Sequence, residues 1–164
     1  MSTLWVVRHG QASFFEADYD RLSAVGEEQA RRLGWQWARR KLVFDQVHCG
    51  PRVRHAETAR LAGEQLAAAG LPWPAVVASP DFDEYAAEAV LKVALPGLIE
   101  RDEQIRTLQE KVTASRDRPE TLRNFQRLYE VVIGRWVRGE LPLDDVEPWH
   151  EFRSRVVRGL ERIA

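Results

Sequence analysis

Three short apolar runs alternate with longer amphipathic segments along the first half of the chain. The runs cover residues 3–7, 44–49 and 75–78, and their length and content of β-branched residues predict buried strands. Residues 23–40 and 52–69, between the runs, place apolar side chains at helical spacing. Because strands and helices alternate, the pattern predicts an α/β fold of three layers, with helices on both faces of a mainly parallel sheet.

The ends of the two predicted helices carry the usual local signals. Ser23 stands where an N-cap would begin the first helix, and Pro51 stands at the first turn of the second. Gly70 follows the second helix and predicts its end. We therefore expect both helices to begin and end close to these residues.

From residue 85 onward the apolar pattern is helical. We expect one domain over residues 1–164, in which residues 85–138 form a helical insertion or lid beside the sheet. A last helix is expected from about Trp149. The predicted helices of the insertion are residues 86–95, 98–112 and 119–137.

The composition is that of an ordinary globular protein. The 164 residues carry a net charge of −1 and include a single cysteine, Cys49. The balanced charge argues against a nucleic-acid partner, and the lone cysteine excludes an internal disulfide framework and indicates a reducing compartment. The sequence shows no secretory leader and no apolar run of membrane-spanning length. We therefore expect a cytoplasmic protein without a membrane partner.

Candidate chemistry lies where the first predicted strand ends, at Arg8-His9-Gly10. Loops after parallel strands open into the crevice in which α/β proteins bind ligands. A guanidinium offers paired donors that suit a phosphate group, and an imidazole is a nucleophile near neutral pH. On its own, however, the tripeptide favours a structural arginine and a surface histidine.

Three further segments follow the tripeptide in order, and each carries a short motif. The four segments are Arg8-His9-Gly10-Gln11, Leu22-Ser23-Ala24-Val25-Gly26-Glu27-Glu28-Gln29-Ala30, Gly50-Pro51-Arg52-Val53-Arg54-His55-Ala56-Glu57-Thr58-Ala59 and Asp81-Phe82-Asp83-Glu84-Tyr85. Together they resemble the histidine phosphatase superfamily, which has the phosphoglycerate-mutase-like fold. The chain departs from the family pattern at Gly50, where a Ser is common, and at His55, where the family has Ala.

The resemblance implies hydrolysis of a phosphate monoester through a phosphohistidine intermediate, with His9 as the nucleophile. Arg8 and Arg54 would hold the phosphate oxygens through charge-assisted hydrogen bonds. Glu84 is the candidate general acid that protonates the leaving oxygen. Without the order of the motifs, Arg54 would be interpreted as part of a surface ion pair and Glu84 as an ordinary solvated carboxylate. The alternatives for the acid are Asp81, Asp83 and Glu88.

Neither a metal site nor a cofactor is expected from the sequence. His48 and Cys49 are neighbours on a predicted strand, so their side chains point to opposite faces and cannot both bind one ion. The sequence contains no His-Glu-x-x-His motif. His55 follows Arg54, and we interpret it as a surface residue in preference to one that lines the site.

Two other functions stay open at this point. One is a non-catalytic binder of phosphate ligands with the same fold, and the other is a phosphoryl transferase of the phosphoglycerate mutase type. The expected ligand is a phosphorylated small molecule or a phosphoprotein. The sequence does not distinguish a monomer from a homodimer.

The resemblance also implies a second histidine, which in the family holds the transferring phosphoryl group opposite the nucleophile. In the family it lies on a strand after the last helix, whereas His150 lies at the start of that helix. We therefore expect that the C-terminal part is missing and that the natural chain continues after Ala164 with a loop, a strand and a helix. Without that strand, both activity and stability would be reduced.

Overall fold

The computed structural model describes residues 3–13 and 20–163. Within these residues the fold is mostly helical, with one small parallel sheet. Among them, no helix combines the length and the hydropathy that a bilayer-spanning segment requires. In chain order the elements are α1 (Ala24–Arg39), β1 (Val47–Cys49), α2 (Val53–Ala68), β2 (Val76–Ala78), a 3-10 turn (Pro80–Phe82), α3 (Ala87–Arg101), α4 (Glu103–Thr113), α5 (Arg118–Val137) and α6 (Trp149–Ile163).

The sheet pairs β1 with β2 in parallel, which agrees with the predicted α/β character of the first half. α2 connects the two strands and provides the crossover that a parallel pair requires. Both strands are shorter than the predicted runs over 44–49 and 75–78, and the wider three-layer sheet stays a prediction. The paired residues are Val47 with Val76, His48 with Val77 and Cys49 with Ala78.

The predicted strand over residues 3–7 is wrong for this structure, in which residues 3–11 belong to no strand. Its apolar side chains are exposed, and Val6 is 84% accessible. The run has the composition of a buried strand, but a strand also needs a hydrogen-bonded neighbour. Within the described ranges, β1 and β2 pair with each other and not with this segment.

α1 and α2 pack against each other along the first half of the chain. Ser23 caps α1 as predicted, because its Oγ accepts a hydrogen bond from the Gly26 N–H at 3.1 Å. Trp37 of α1 and Leu61 and Leu66 of α2 are almost fully buried. Burial of a large apolar side chain contributes about 1.5–3 kcal/mol, so this helix pair is a stable support for the segments that precede both helices.

The chain forms two compact units. The first unit comprises residues up to Glu84 together with those from Arg158 onward, and the second comprises Tyr85–Val157. Asp102 and Asp117 cap α4 and α5 in the second unit by accepting backbone hydrogen bonds at 3.1 and 2.8 Å. The most deeply buried side chains of the core of the second unit are Val90, Ile105, Leu128, Val132 and Trp136.

α3 differs from the sequence prediction at Pro96. The pattern predicted a break there, whereas α3 continues through Pro96 and ends at Arg101. Proline removes one intrahelical hydrogen bond and crowds the preceding turn. Apolar side chains on both sides of it, Ala94 and Ile99, pack into the same core, and this burial offsets the cost.

Candidate active site

Three stretches of the first unit meet in one cluster of titratable side chains. His9 lies in the segment before α1, Arg54 in the first turn of α2, and Glu84 just after the 3-10 turn that follows β2. Arg54 Nη2 is hydrogen-bonded to Glu84 Oε2, and Arg54 Nε donates to His9 Nε2 at 3.4 Å. The structure therefore brings these three predicted site residues together.

Hydrogen bonding fixes the tautomer of His9. Its Nδ1 lies 2.6 Å from the carbonyl oxygen of Gly10, and because a carbonyl oxygen only accepts, Nδ1 carries the proton. Nε2 accepts the hydrogen bond from Arg54 Nε and therefore carries the lone pair, on the side of Arg54 and Glu84. Gly10 is held in turn, since its N–H donates to Thr58 Oγ1 at 3.1 Å.

The segment that carries His9 touches α1 backbone to backbone. A Cβ at Gly26 would overlap the backbone of Gln11, and a Cβ at Gly10 would overlap the backbone of Gly26. A side chain at either position would push the segment away from the helix. Glycine at both positions therefore permits the close approach that places His9.

Arg54 is buried although it is charged, and two carboxylates balance it. The residue is 3% exposed. Nη1 donates to Asp20 Oδ1 at 2.7 Å, while Nη2 pairs with Glu84. Buried charges require such partners, and a guanidinium offers a separate donor to each. Thr58 Oγ1 donates to the Arg54 carbonyl at 2.7 Å, which helps to fix this turn of α2.

Glu84 is ionised in this arrangement. The His9 imidazole, whose Nε2 lies 3.8 Å from Oε1, and the Arg54 guanidinium lower the pKa of Glu84 to about 2. A separation of 3.8 Å exceeds hydrogen-bond length, so the ion pair with Arg54 is the firmer cause of this direction. An ionised carboxylate cannot protonate a leaving group. A role as general acid therefore requires that a phosphate anion raise this pKa.

The alternative acids are held by other groups. Asp83 Oδ1 accepts a hydrogen bond from Arg52 Nε at 2.7 Å. Asp81 is buried and has an ion pair to α6, and Glu88 lies on α3, in the second unit. Glu84 is paired with the buried guanidinium of Arg54.

His55 lies against His9, and the surface interpretation made from the sequence is wrong. The two ring centroids are 5.4 Å apart. Burial is the main cause that lowers the pKa of His55, followed by the neighbouring His9 ring and the Arg54 guanidinium. A Cβ at position 50 would overlap the His55 ring, so Gly50 makes room for it. The two departures from the family pattern, Gly50 and His55, are therefore in contact.

His9, His55 and Glu84 together present a set of possible metal ligands. A ring nitrogen from each histidine and a carboxylate oxygen lie within 4.8 Å of one another. Imidazole and carboxylate groups are ligands for Zn²⁺ and related ions. No local pattern in the sequence indicates this set, because its members are far apart along the chain and meet only after folding.

Arg8 is placed differently from the other predicted site residues. It is exposed and lines an open cleft of about 490 Å³ together with His9 and Thr58. In the part of the chain that the structure describes, no hydrogen bond or ion pair joins Arg8 to Arg54 or Glu84. His9 therefore borders both the cleft and Arg54, whereas Arg8 borders the cleft.

Asp20 and Thr58 belong to the site but were given no role from the sequence. Asp20 falls in residues 14–21, which show no clear period, and residues 14–19 of that stretch lie outside the described ranges. Asp20 meets Arg54 through the folded chain, so no local signal identifies it. Thr58 follows Arg54 by one helical turn, and this spacing, which places both on one face of the helix, could have indicated that Thr58 lies at the site.

Comparison with known proteins supplies a family match. A family model described as the histidine phosphatase superfamily (branch 1) matches residues 4–127, which is more than half of the chain. No curated protein and no solved structure matches the chain. The matched range includes all four predicted site residues, Arg8, His9, Arg54 and Glu84.

Proposed function

The chain belongs to the histidine phosphatase superfamily, and on that premise we propose that it hydrolyses a phosphate monoester through a phosphohistidine on His9. The observation that carries this proposal is the position of a fixed His9 tautomer beside a buried guanidinium. Nε2 of His9 holds a lone pair, and Arg54 Nε lies 3.4 Å from it. This arrangement suits phosphoryl transfer, because positioning and charge neutralisation supply most of its catalysis.

Arg54 exchanges a carboxylate for the phosphate when the ester binds. In the structure its terminal nitrogens are directed to Asp20 and Glu84. A phosphoryl oxygen that replaces Glu84 Oε2 gains a charge-assisted hydrogen bond. Glu84 then loses its stabilising cation and lies beside an anion, and both changes raise its pKa. The exchange therefore favours the protonated form of Glu84 that a general acid needs.

Two displacements complete the reaction. Nε2 of His9 attacks phosphorus as the bond to the ester oxygen breaks, and Glu84 gives its proton to that leaving oxygen. Water then attacks the phosphorus of the phosphohistidine, the P–N bond breaks, and Glu84 accepts a proton from the water. Neutral His9 and protonated Glu84 are restored, and the products are an alcohol and inorganic phosphate.

The proposed substrate is a phosphorylated small molecule or a phosphoprotein, with Arg8 as a further phosphate contact. Arg8 is exposed and lines the cleft that also reaches His9. A long, exposed guanidinium can turn toward an anion bound at His9, and it would neutralise the phosphate charge that Arg54 leaves. The contact between Arg8 and the phosphate would form only when the substrate binds.

The test is the hydrolysis of p-nitrophenyl phosphate by the full 164-residue chain and two alanine variants. We expect His9→Ala to lose at least about 10³-fold in kcat/KM, as removal of a nucleophile does. His150→Ala is the matched control, because His150 is exposed and lies in the second unit. It should keep the activity of the wild type. Phosphate transferred from a radiolabelled ester should be acid-labile and alkali-stable on the protein, as expected for phosphohistidine.

Activity that survives in His9→Ala would refute the proposed mechanism. If the wild type has no activity but binds inorganic phosphate in a calorimetric titration, the chain is the non-catalytic binder that the sequence left open.

A further inference from the structure

We propose that His9, His55 and Glu84 form a binding site for one divalent transition-metal ion, with Zn²⁺ as the probe. The site uses two side chains of the proposed active site, but ion binding does not depend on catalysis. An ion at this position would occupy the lone pair of His9 Nε2 and compete with a phosphate ester, a consequence that rests on the proposed function.

The distances suit such an ion after a small adjustment. The three ligand atoms lie within 4.8 Å of one another, and His9 Nε2 is 3.8 Å from Glu84 Oε1. Ligand atoms around a tetrahedral Zn²⁺ are about 3.3 Å apart. The side chain of Glu84 is 41% exposed, so it can move toward the two rings without disturbing buried packing.

The orientation of two ligands is already set by neighbouring groups. His9 donates its Nδ1 proton to the Gly10 carbonyl, which is the outer hydrogen bond that metal-binding histidines usually make. Glu84 pairs through Oε2 with Arg54 and presents Oε1 toward His9. His9 Nε2, which accepts the long hydrogen bond from Arg54 Nε, and Glu84 Oε1 therefore face the same region.

The local charge also accommodates a cation. Arg54 is the nearest positive group, and it is balanced by two carboxylates, those of Asp20 and Glu84. If Glu84 turns to the ion, Arg54 keeps its hydrogen bond to Asp20 at 2.7 Å.

His55 gives the most specific support for the site. Its Nδ1 is buried and, in the described part of the chain, has no hydrogen-bond partner. Burying an unpaired polar atom costs free energy, and a functional role or a bound ion or water would account for that cost. Gly50 has no side chain and so leaves the space that the His55 ring fills.

Calorimetric titration of Zn²⁺ into the full chain measures the site without substrate. We expect the wild type to bind one ion per chain and His55→Ala to bind it about a hundredfold more weakly. His150→Ala removes an imidazole from an exposed position and should leave the affinity unchanged. Circular dichroism checks that each variant is folded. His55→Gln, which keeps a polar side chain of similar size, replaces His55→Ala if that variant does not fold.

Co²⁺ gives a second readout, because a tetrahedral site absorbs visible light far more strongly than hydrated Co²⁺ does. We expect this absorption in the wild type and its loss in Glu84→Gln. The proposal is overturned if His55→Ala binds Zn²⁺ as tightly as the wild type, if His150→Ala weakens binding to the same extent, or if the wild type binds no Zn²⁺. A chain that binds Zn²⁺ but hydrolyses no aryl phosphate retains this site and refutes the proposed function, so the two fail separately.

Discussion

Replacement of Arg54 by lysine separates the geometry of the guanidinium from its charge. Lysine keeps one positive charge at this position but cannot direct separate donors to three partners. In the structure Arg54 reaches His9 through Nε, Asp20 through Nη1 and Glu84 through Nη2. We therefore expect Arg54→Lys to lose activity far more than stability.

The size of the effect on activity follows from the donors that are lost. In the proposed complex, Nη2 donates one charge-assisted hydrogen bond to a phosphoryl oxygen, and such a bond contributes about 1.5–3 kcal/mol. Its loss corresponds to a fall in kcat/KM of about 10- to 10²-fold. The loss of stability is smaller, about 1 kcal/mol, because the side chains of Asp20 and Glu84 are 35% and 41% exposed and water can solvate them.

The assay compares kcat/KM for an aryl phosphate with the free energy of unfolding in urea. Arg60→Lys is the matched control, since Arg60 lies on the same helix and forms exposed ion pairs with Glu57 and Glu64. This control should keep both activity and stability. If Arg54→Lys hydrolyses the ester as fast as Arg60→Lys does, catalysis does not need the separate donors of the Arg54 guanidinium, and this prediction is refuted.

Three further outcomes test the fold and the electrostatics. In buffer with EDTA, Glu84→Gln should be about 1 kcal/mol less stable than the wild type at pH 7, a difference limited by solvent screening. Because the pKa of Glu84 is lowered from 4.5 to about 2, the stabilisation is complete above about pH 4.5 and is lost as the pH falls toward 2. If the difference in unfolding free energy between the wild type and Glu84→Gln, measured in urea, stays constant with pH, this prediction is contradicted. Gly26→Ala should destabilise by about 1–3 kcal/mol, because its Cβ overlaps backbone, whereas Gly134→Ala, inside α5 with only a flexible side chain nearby, should be neutral or stabilising. Equal effects of these two variants on the melting temperature would refute the close approach. Leu128→Ala, which empties a fully buried position of α5, should cost about 2–5 kcal/mol in urea unfolding, while the exposed Leu122→Ala on the same helix should cost little.

The helices could be predicted from the sequence because their signals are local. Ser23 occupies the N-cap that the sequence assigned to it, and α1 ends one residue before the predicted Arg40. The hydroxyl that caps a helix acts on a backbone group within the next turn, so its effect is readable from adjacent residues. Pro96 shows the limit of such signals, since burial of its neighbours on both sides maintains α3 through the proline.

The site could be predicted only in part from the sequence, because its contacts join residues that are far apart along the chain. The motifs pointed to His9, Arg54 and Glu84, which the structure places together. Asp20 was missed because its partner is on another element, and nothing near it in the sequence indicates the ion pair. The expected strand over residues 3–7 failed for the same reason, since composition cannot report which neighbour a strand finds.

The position of His55 could not be predicted because it depends on a second substitution. Its ring fits only where residue 50 lacks a side chain, and the sequence shows the two departures without showing their contact. Relative to the family pattern, the chain lacks the serine side chain at position 50 and has an imidazole at position 55, and this imidazole lies against Gly50.

The guanidinium of Arg54 holds groups from stretches that are widely separated along the chain, the segment at His9, the turn at Asp20 and the segment after β2. A short peptide taken from one of these stretches cannot reproduce the arrangement, because it lacks either the donor or some of its acceptors. The proposed turnover would consequently report cooperative folding of the first unit. During denaturation, we expect it to disappear over the range of urea in which this unit unfolds.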